Sequence, residues 1–219
     1  MVDKFLSLSA MSEGYYMDRG SKFMAYAFPV SSESDGMHEL QKIKKSHPKA
    51  RHFCTAIRLL PDGSFERFID DGEPSGSAGR PILGQLIKYD LTEAMIVVVR
   101  YFGGTKLGVP GLIEAYKTSA ANALEASNII KRKIYSTFKL TLAYEQLPLM
   151  INHFKQLNIP VFQTDYDEQA NMIIGFARST SSEAFRSALQ HYTQRDFLLL
   201  DDYLMHLNMQ VESLEDKIL

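Results

Sequence analysis

The amino-acid sequence predicts an α+β protein of two domains, and three observations carry that reading. The chain has 219 residues, more than the roughly 100–150 of a common single core. Its apolar fraction of 45 %, with 13 Phe and 11 Tyr, supplies ample side chain for burial. The charge also changes sign along it: residues 1–135 hold 18 Lys and Arg against 15 Asp and Glu, whereas residues 136–219 hold 6 against 11.

The elements follow from hydrophobic periodicity. Gly14–Val30 alternates around Asp18-Arg19-Gly20, which predicts a strand, a turn and a second strand. Ser31–Ser46 opens with serines and acids and spaces Met37, Leu40 and Ile43 as an amphipathic helix does. Arg51–Leu60 alternates again, with Phe53, Thr55, Ile57 and Leu59 on one side and His52, Cys54, Ala56 and Arg58 on the other. Pro61-Asp62-Gly63 then turns into a strand over Ser64–Ile69. A helix after Gly79 carries an apolar stripe of Ile82, Leu83, Leu86 and Ile87. Met95–Val99 is a continuous apolar run of the kind buried on both faces of a sheet. Val109–Ala126 reads as a helix with Leu112, Ile113, Tyr116, Ala120 and Leu124 inward.

That order, ββαββαβα, closes near Lys131-Arg132-Lys133 and sets the domains at 1–134 and 135–219. The second half reads as strand Ser136–Tyr144, helix Glu145–Leu157, strands Pro160–Asp165 and Ala170–Ala177, and a helix opened by Ser181 or Ser182. This is the start of a ferredoxin-like βαββαβ unit. Asp196–Asn208 fits helix or strand equally.

One cysteine, Cys54, excludes an internal disulfide framework and a thiolate zinc cluster, and suits a reducing, cytoplasmic compartment. Met1–Gly20 is interrupted by charges, and no run reaches the roughly 18 apolar residues of a membrane span, so no membrane role is expected. Gln41–Pro61 holds Lys42, Lys44, Lys45, Lys49, Arg51 and Arg58 without an acid, which fits either a solvated helix face or a patch for a nucleic-acid backbone.

Two loops, each just before a predicted helix, concentrate chemistry. The first, Asp70–Pro81, contains Asp70, Asp71, Glu73, Ser75, Gly76, Ser77, Gly79 and Arg80. The second, Arg100–Gly108, contains Arg100, Tyr101, Gly103, Gly104, Thr105, Lys106 and Gly108. Glycines let backbone N–H groups approach a ligand, and a first helical turn offers unpaired donors, so such loops favour an anion. Neither loop has the GxxxxGK[ST] or GxGxxG spacing. Asp70, Asp71 and Glu73 admit three roles: Mg²⁺ ligands beside a phosphate, general base, or ion-pair partners of Arg80, Arg100 and Lys106 that fix the loops. His52 and Cys54 share a strand face, as a nucleophile pair would, or as ordinary packing residues would. The histidines show no metal-ligand spacing, and no metal site is assigned.

DDGEPSGSAGRPIL at Asp70–Leu83 and VVVRYFGGTKLGVPGLIEAY at Val97–Tyr116 resemble the signature of the IMPACT/YigZ family, and Ser21-Lys22-Phe23 and His52–Ala56 resemble its earlier motifs. The resemblance implies an N-terminal domain with the second-domain fold of small-subunit ribosomal protein five, and a C-terminal ferredoxin-like domain of the elongation-factor-G type. It also brings Lys22 and His52 into the ligand-binding set. It implies a noncatalytic nucleic-acid or ribosome-linked regulator of translation that requires no cofactor. An enzyme using Mg²⁺ on a phosphorylated small molecule or nucleotide is the alternative, and a protein partner is assigned to the acidic C-terminal domain. The chain departs from the family pattern at Pro110-Gly111 and Glu114, where relatives carry a glycine pair and an arginine.

Overall fold

The structure, a computed structural model, describes residues 2–166, 169–196 and 198–219. It divides into two compact units, one of residues 5–132 and one that joins residues 133–219 with the first four residues.

The unit of residues 5–132 contains β1 (Lys4–Leu8, from Phe5 on), β2 (Ser12–Asp18), β3 (Ser21–Pro29), α1 (Glu33–Ser46), β4 (His52–Leu59), β5 (Phe65–Ile69), α2 (Gly79–Lys88), β6 (Ala94–Tyr101) and α3 (Gly108–Glu125). Five strands form an antiparallel sheet in the order β2-β3-β6-β4-β5. The apolar run of the sequence is its central strand, with Ile96, Val97, Val98 and Val99 fully buried. Each such side chain contributes on the order of 1.5–3 kcal/mol by leaving water. One face packs Phe23, Ala25, Cys54, Ala56, Ile96 and Val98 against α2 and α3. The other packs Tyr26, Phe28, Phe53, Ile57, Val97 and Val99 with Leu40 and Ile43 of α1.

The helices are rotated slightly from the stripes expected of them. Met37, Ile87 and Ile113 are exposed, while Gly36, Gln85, Ala115, Ser119 and Ala123 are buried. Small residues sit inward because the sheet lies close. A Cβ on Gly36 would stand 2.7 Å from Met95 Sδ, and one on Gly14 of β2 would collide with the α3 backbone at Ala123 and Ser119.

The other unit contains β7 (Ile129–Leu142, from Lys133 on), α4 (Leu147–Gln156), β8 (Val161–Tyr166), β9 (Ala170–Ala177), α5 (Ser181–Thr193), α6 (Leu200–Leu207), β10 (Gln210–Ser213) and β11 (Lys217–Ile218). Its strands run antiparallel in the order β8-β9-β7, with β10 and β11 both paired to β7. Leu140, Met172, Ile174, Phe154, Phe185 and Tyr203 fill the core between sheet and helices.

The ambiguous stretch Asp196–Asn208 contains helix α6, ended by Asn208 in the left-handed region, and the last strands come after it. Phe197 of that stretch lies outside the described residues. β7 starts earlier than the sequence suggested, because Lys133 exchanges backbone hydrogen bonds of 2.7 and 3.0 Å with Leu219 and so extends the strand through the basic run. Among the described residues no helix is long and apolar enough to cross a membrane.

Candidate functional site

Register fixes which residues meet at one end of the five-stranded sheet. His52, first in β4, pairs with Arg100, and Lys22, near the start of β3, pairs with Tyr101. The end of α1, the turn after β5 and the N-termini of α2 and α3 gather at the same end. Both glycine-rich loops therefore belong to one region, but they are built differently.

The first loop closes on its own carboxylate. Asp71 and Gly72 have φ of 41° and 85°, and Glu73 N–H donates to Asp70 O at 3.0 Å, the pattern of a type I′ turn. The Asp70 carboxylate accepts from Gly76 N–H (2.8 Å), Ala78 N–H (3.1 Å) and Gly79 N–H (2.8 Å). An internal anion thus occupies the donors at the start of α2 that the sequence offered to a phosphate. Ser77 is fully buried and donates its hydroxyl to Pro74 O (2.6 Å), and a Cβ on Gly79 would press on the Ile69 backbone at 2.9 Å. Asp71 accepts from Phe53 N–H (2.7 Å), and its carbonyl oxygen meets His52 Nδ1 at 2.9 Å.

Beneath this loop lies a buried polar chain. Glu73 and Arg100, with side chains only 3 % and 7 % exposed, pair at 2.6 Å, and Tyr116 of α3 donates to the same Glu73 oxygen at 2.8 Å. Cys54 Sγ lies 3.2 Å from the Tyr116 hydroxyl and 3.0 Å from Asp70 O. Burial pushes the titration of both the Cys54 thiol and the Tyr116 hydroxyl up, so both stay protonated. That removes the thiolate a cysteine-histidine nucleophile needs. The Arg100 guanidinium sits between the rings of Phe23 (5.5 Å) and Phe102 (5.6 Å), and its Nε has no hydrogen-bond partner.

Of the three roles open to the acids, pairing holds for Glu73 with Arg100. Arg80 instead lies over the Phe68 ring at 5.8 Å, and among the described residues Lys106 forms no ion pair. Asp70 and Asp71 take backbone donors. The acids therefore do not fit a cation site: among the described residues no three His, Cys, Asp or Glu side chains are grouped to hold a metal ion.

The second loop stays open. Gly103 N–H donates to Ser21 Oγ at 3.1 Å, and a Cβ there would collide with the Gly20 and Ser21 backbone. Beyond it Gly104 (φ 89°) has nothing within 4 Å of a Cβ, and Gly104, Thr105, Lys106 and Gly108 are all exposed. Gly76, Ser75 and Arg80 of the first loop and Lys22 are also solvent-accessible. Lys22 and Tyr101 lie on the α1 face of the sheet, opposite Arg100 and His52.

The sequence reading missed what Tyr101 does there. Its hydroxyl meets His47 Nδ1 at 2.9 Å, and His47 Nε2 meets the Tyr26 hydroxyl at 2.7 Å, so one imidazole at the end of α1 joins β3 to β6. These partners are 21 and 54 residues away along the chain, and no local pattern announces them.

The Impact N-terminal domain matches residues 19–124, which include both loops and the buried chain. An IMPACT family member of Haemophilus influenzae (strain ATCC 51907 / DSM 11121 / KW20 / Rd) is 35 % identical over 171 residues, 77 % of this chain and 82 % of that protein. The chain belongs to the IMPACT family. The IMPACT family member YvyE of Bacillus subtilis (strain 168) is 28 % identical over 216 residues, 99 % of each chain. A crystal structure of a hypothetical protein, 25 % identical, superposes with a TM-score of 0.66 over 98 % of this chain and 99 % of its own. At the two departures from the IMPACT pattern, Pro110 falls in the first turn of α3, where a missing N–H costs nothing, and exposed Glu114 bonds Thr118 (3.1 Å) and Lys117 (3.4 Å) of its own helix.

Proposed function

We propose that this protein is a noncatalytic, RNA- or ribosome-linked regulator of translation in the cytoplasm, and that the residues 5–132 unit holds phosphate at the open loop end of its sheet. One observation carries the reading. The loop acids Asp70, Asp71 and Glu73 are bonded internally, whereas Lys22, Lys45, Lys49, Arg51, Arg80 and Lys106, at the same end, form no ion pair among the described residues. What faces water there is mostly positive, with Asp18 and Glu114 as exposed acids nearby, and the exposed Phe102 ring adds a surface for base stacking. Lys22, Ser75, Arg80, Gly104, Thr105, Lys106 and Gly108 are the residues placed for contact. Arg100, Glu73, Asp70, Ser77 and Gly79 hold the loops. Asp70 accepts at both oxygens and Asp71 and Glu73 at one oxygen each, all from this chain's own donors, which supports binding over catalysis.

The ββαββαβα order from β2 to α3 supports the second-domain fold of small-subunit ribosomal protein five for this unit, with β1 added before it. The strand order β8-β9-β7-β10 supports a ferredoxin-like fold of the elongation-factor-G type for the other, whose acidic surface we assign to a protein partner.

The test is binding of short single-stranded and hairpin RNAs across salt concentration. Arg80→Ala and Lys106→Ala should each lower the log–log salt slope by about 0.7 on single strands. Lys88→Ala, at the far end of α2, should leave it unchanged. No binding at low salt, or equal slopes for all variants, would refute the proposal.

A further inference from the structure

The opposite end of the same sheet holds a second feature that the phosphate reading does not use. β3 ends there, α1 begins, and Glu93 precedes β6 with φ of 50°. A cavity of about 250 Å³ opens between Ser7, Pro29, Val30, Ser31, Asp35, Glu93 and Arg132. At about 30 Å³ per water it has room for roughly eight non-hydrogen atoms.

Its charges are arranged across a gap. Glu93 is fixed through its backbone, whose carbonyl oxygen accepts from Val30 N–H (3.0 Å) and Ser7 Oγ (3.1 Å), while its carboxylate makes no hydrogen bond. Arg132 is close enough to act on that carboxylate electrostatically but forms no ion pair with it, and Arg132 Nε is buried without a partner. Burial raises the Glu93 carboxyl above its usual range, with Arg132 opposing. Asp35 accepts from Ser31 N–H (3.1 Å) and Ser31 Oγ (2.6 Å), also bonds Ser32, and is exposed to water. Among the described residues, a buried guanidinium nitrogen without a partner and a half-buried carboxylate without a hydrogen bond, with the exposed Asp35 beside them, leave groups that a ligand of both signs would satisfy together.

We propose that this cavity binds a small zwitterion of the free amino-acid class, its carboxylate on Arg132 and its ammonium between Glu93 and Asp35. A simple anion would face two carboxylates, and a simple amine would leave Arg132 unmet. The volume limits the side chain to a few atoms.

The test is a nitrogen-edited NMR titration of the full chain with glycine and L-alanine, compared with N-acetyl-alanine, which lacks the ammonium, and alaninamide, which lacks the carboxylate. The expected result is movement of the Val30, Ser31 and Glu93 amides with glycine or alanine, and binding weaker by about tenfold or more for each blocked form. Glu93→Gln and Arg132→Gln should each weaken alanine by a similar factor while leaving the Gly104–Lys106 amides in place. The proposal falls if neither amino acid moves those amides, or if both blocked forms bind as well as alanine. It falls equally if both variants bind alanine as the unaltered chain does. The blocked ligands act on the unaltered chain, so a variant that fails to fold does not shield the proposal.

Discussion

The two glycine-rich loops look alike in sequence and behave as opposites in structure. In the first, Asp70 supplies the anion its own backbone donors require, and Glu73 plugs the space below by binding Arg100 and Tyr116. In the second, Arg100, Tyr101 and Gly103 are tied to other elements, while Gly104, Thr105 and Lys106 beyond them are exposed. A run of glycines therefore signals backbone approach, and the nearest carboxylate decides whether a ligand or the chain itself makes that approach.

This contrast can be broken by substitution. Arg100→Met leaves Glu73 charged and enclosed, and urea unfolding should show a loss of about 3–5 kcal/mol. The double variant with Glu73→Gln should recover part of it, whereas equal losses in single and double variants would mean the pair is not what closes the first loop. Asp70→Ala strands the Gly76, Ala78 and Gly79 donors and should cost about 2–3 kcal/mol, with faster hydrogen exchange at Gly79. Gly104→Ala meets open space but keeps a φ of 89°, so a loss of only about 1 kcal/mol is expected from thermal unfolding. A loss at Gly104 matching that at Asp70 would erase the distinction between the loops.

Much of the architecture was readable because the apolar pattern agrees with burial, as with Met95–Val99 at the sheet centre, while His52–Leu59 alternates between the two faces and is buried on both from Phe53 to Ile57. β1 was not, because nothing in the five residues Lys4–Leu8 marks a strand and a partner lies far along the chain, with Leu6 bridging Leu91 and accepting from Thr92 N–H at 2.9 Å. The last strands hid behind α6, since Leu198, Leu199 and Leu200 look the same in either conformation and Asn208 ends the helix with a positive φ. At the site, the Asp-Gly turn at Asp71-Gly72 was legible from its dipeptide. The grip of Asp70 on three amides depends on the path of the nine residues after it, and the Tyr116–Glu73 bond on the packing of α3 against the sheet. Local spacing encodes neither.

The enclosed sulfur of Cys54 gives this protein an internal clock. Because the thiol sits under the Asp70 carbonyl and stays protonated, a thiol reagent can modify it only after the segment above swings away, so the modification rate counts those excursions. If the proposed phosphate contacts at Arg80 and Lys106 form, they should slow the count without touching the sulfur.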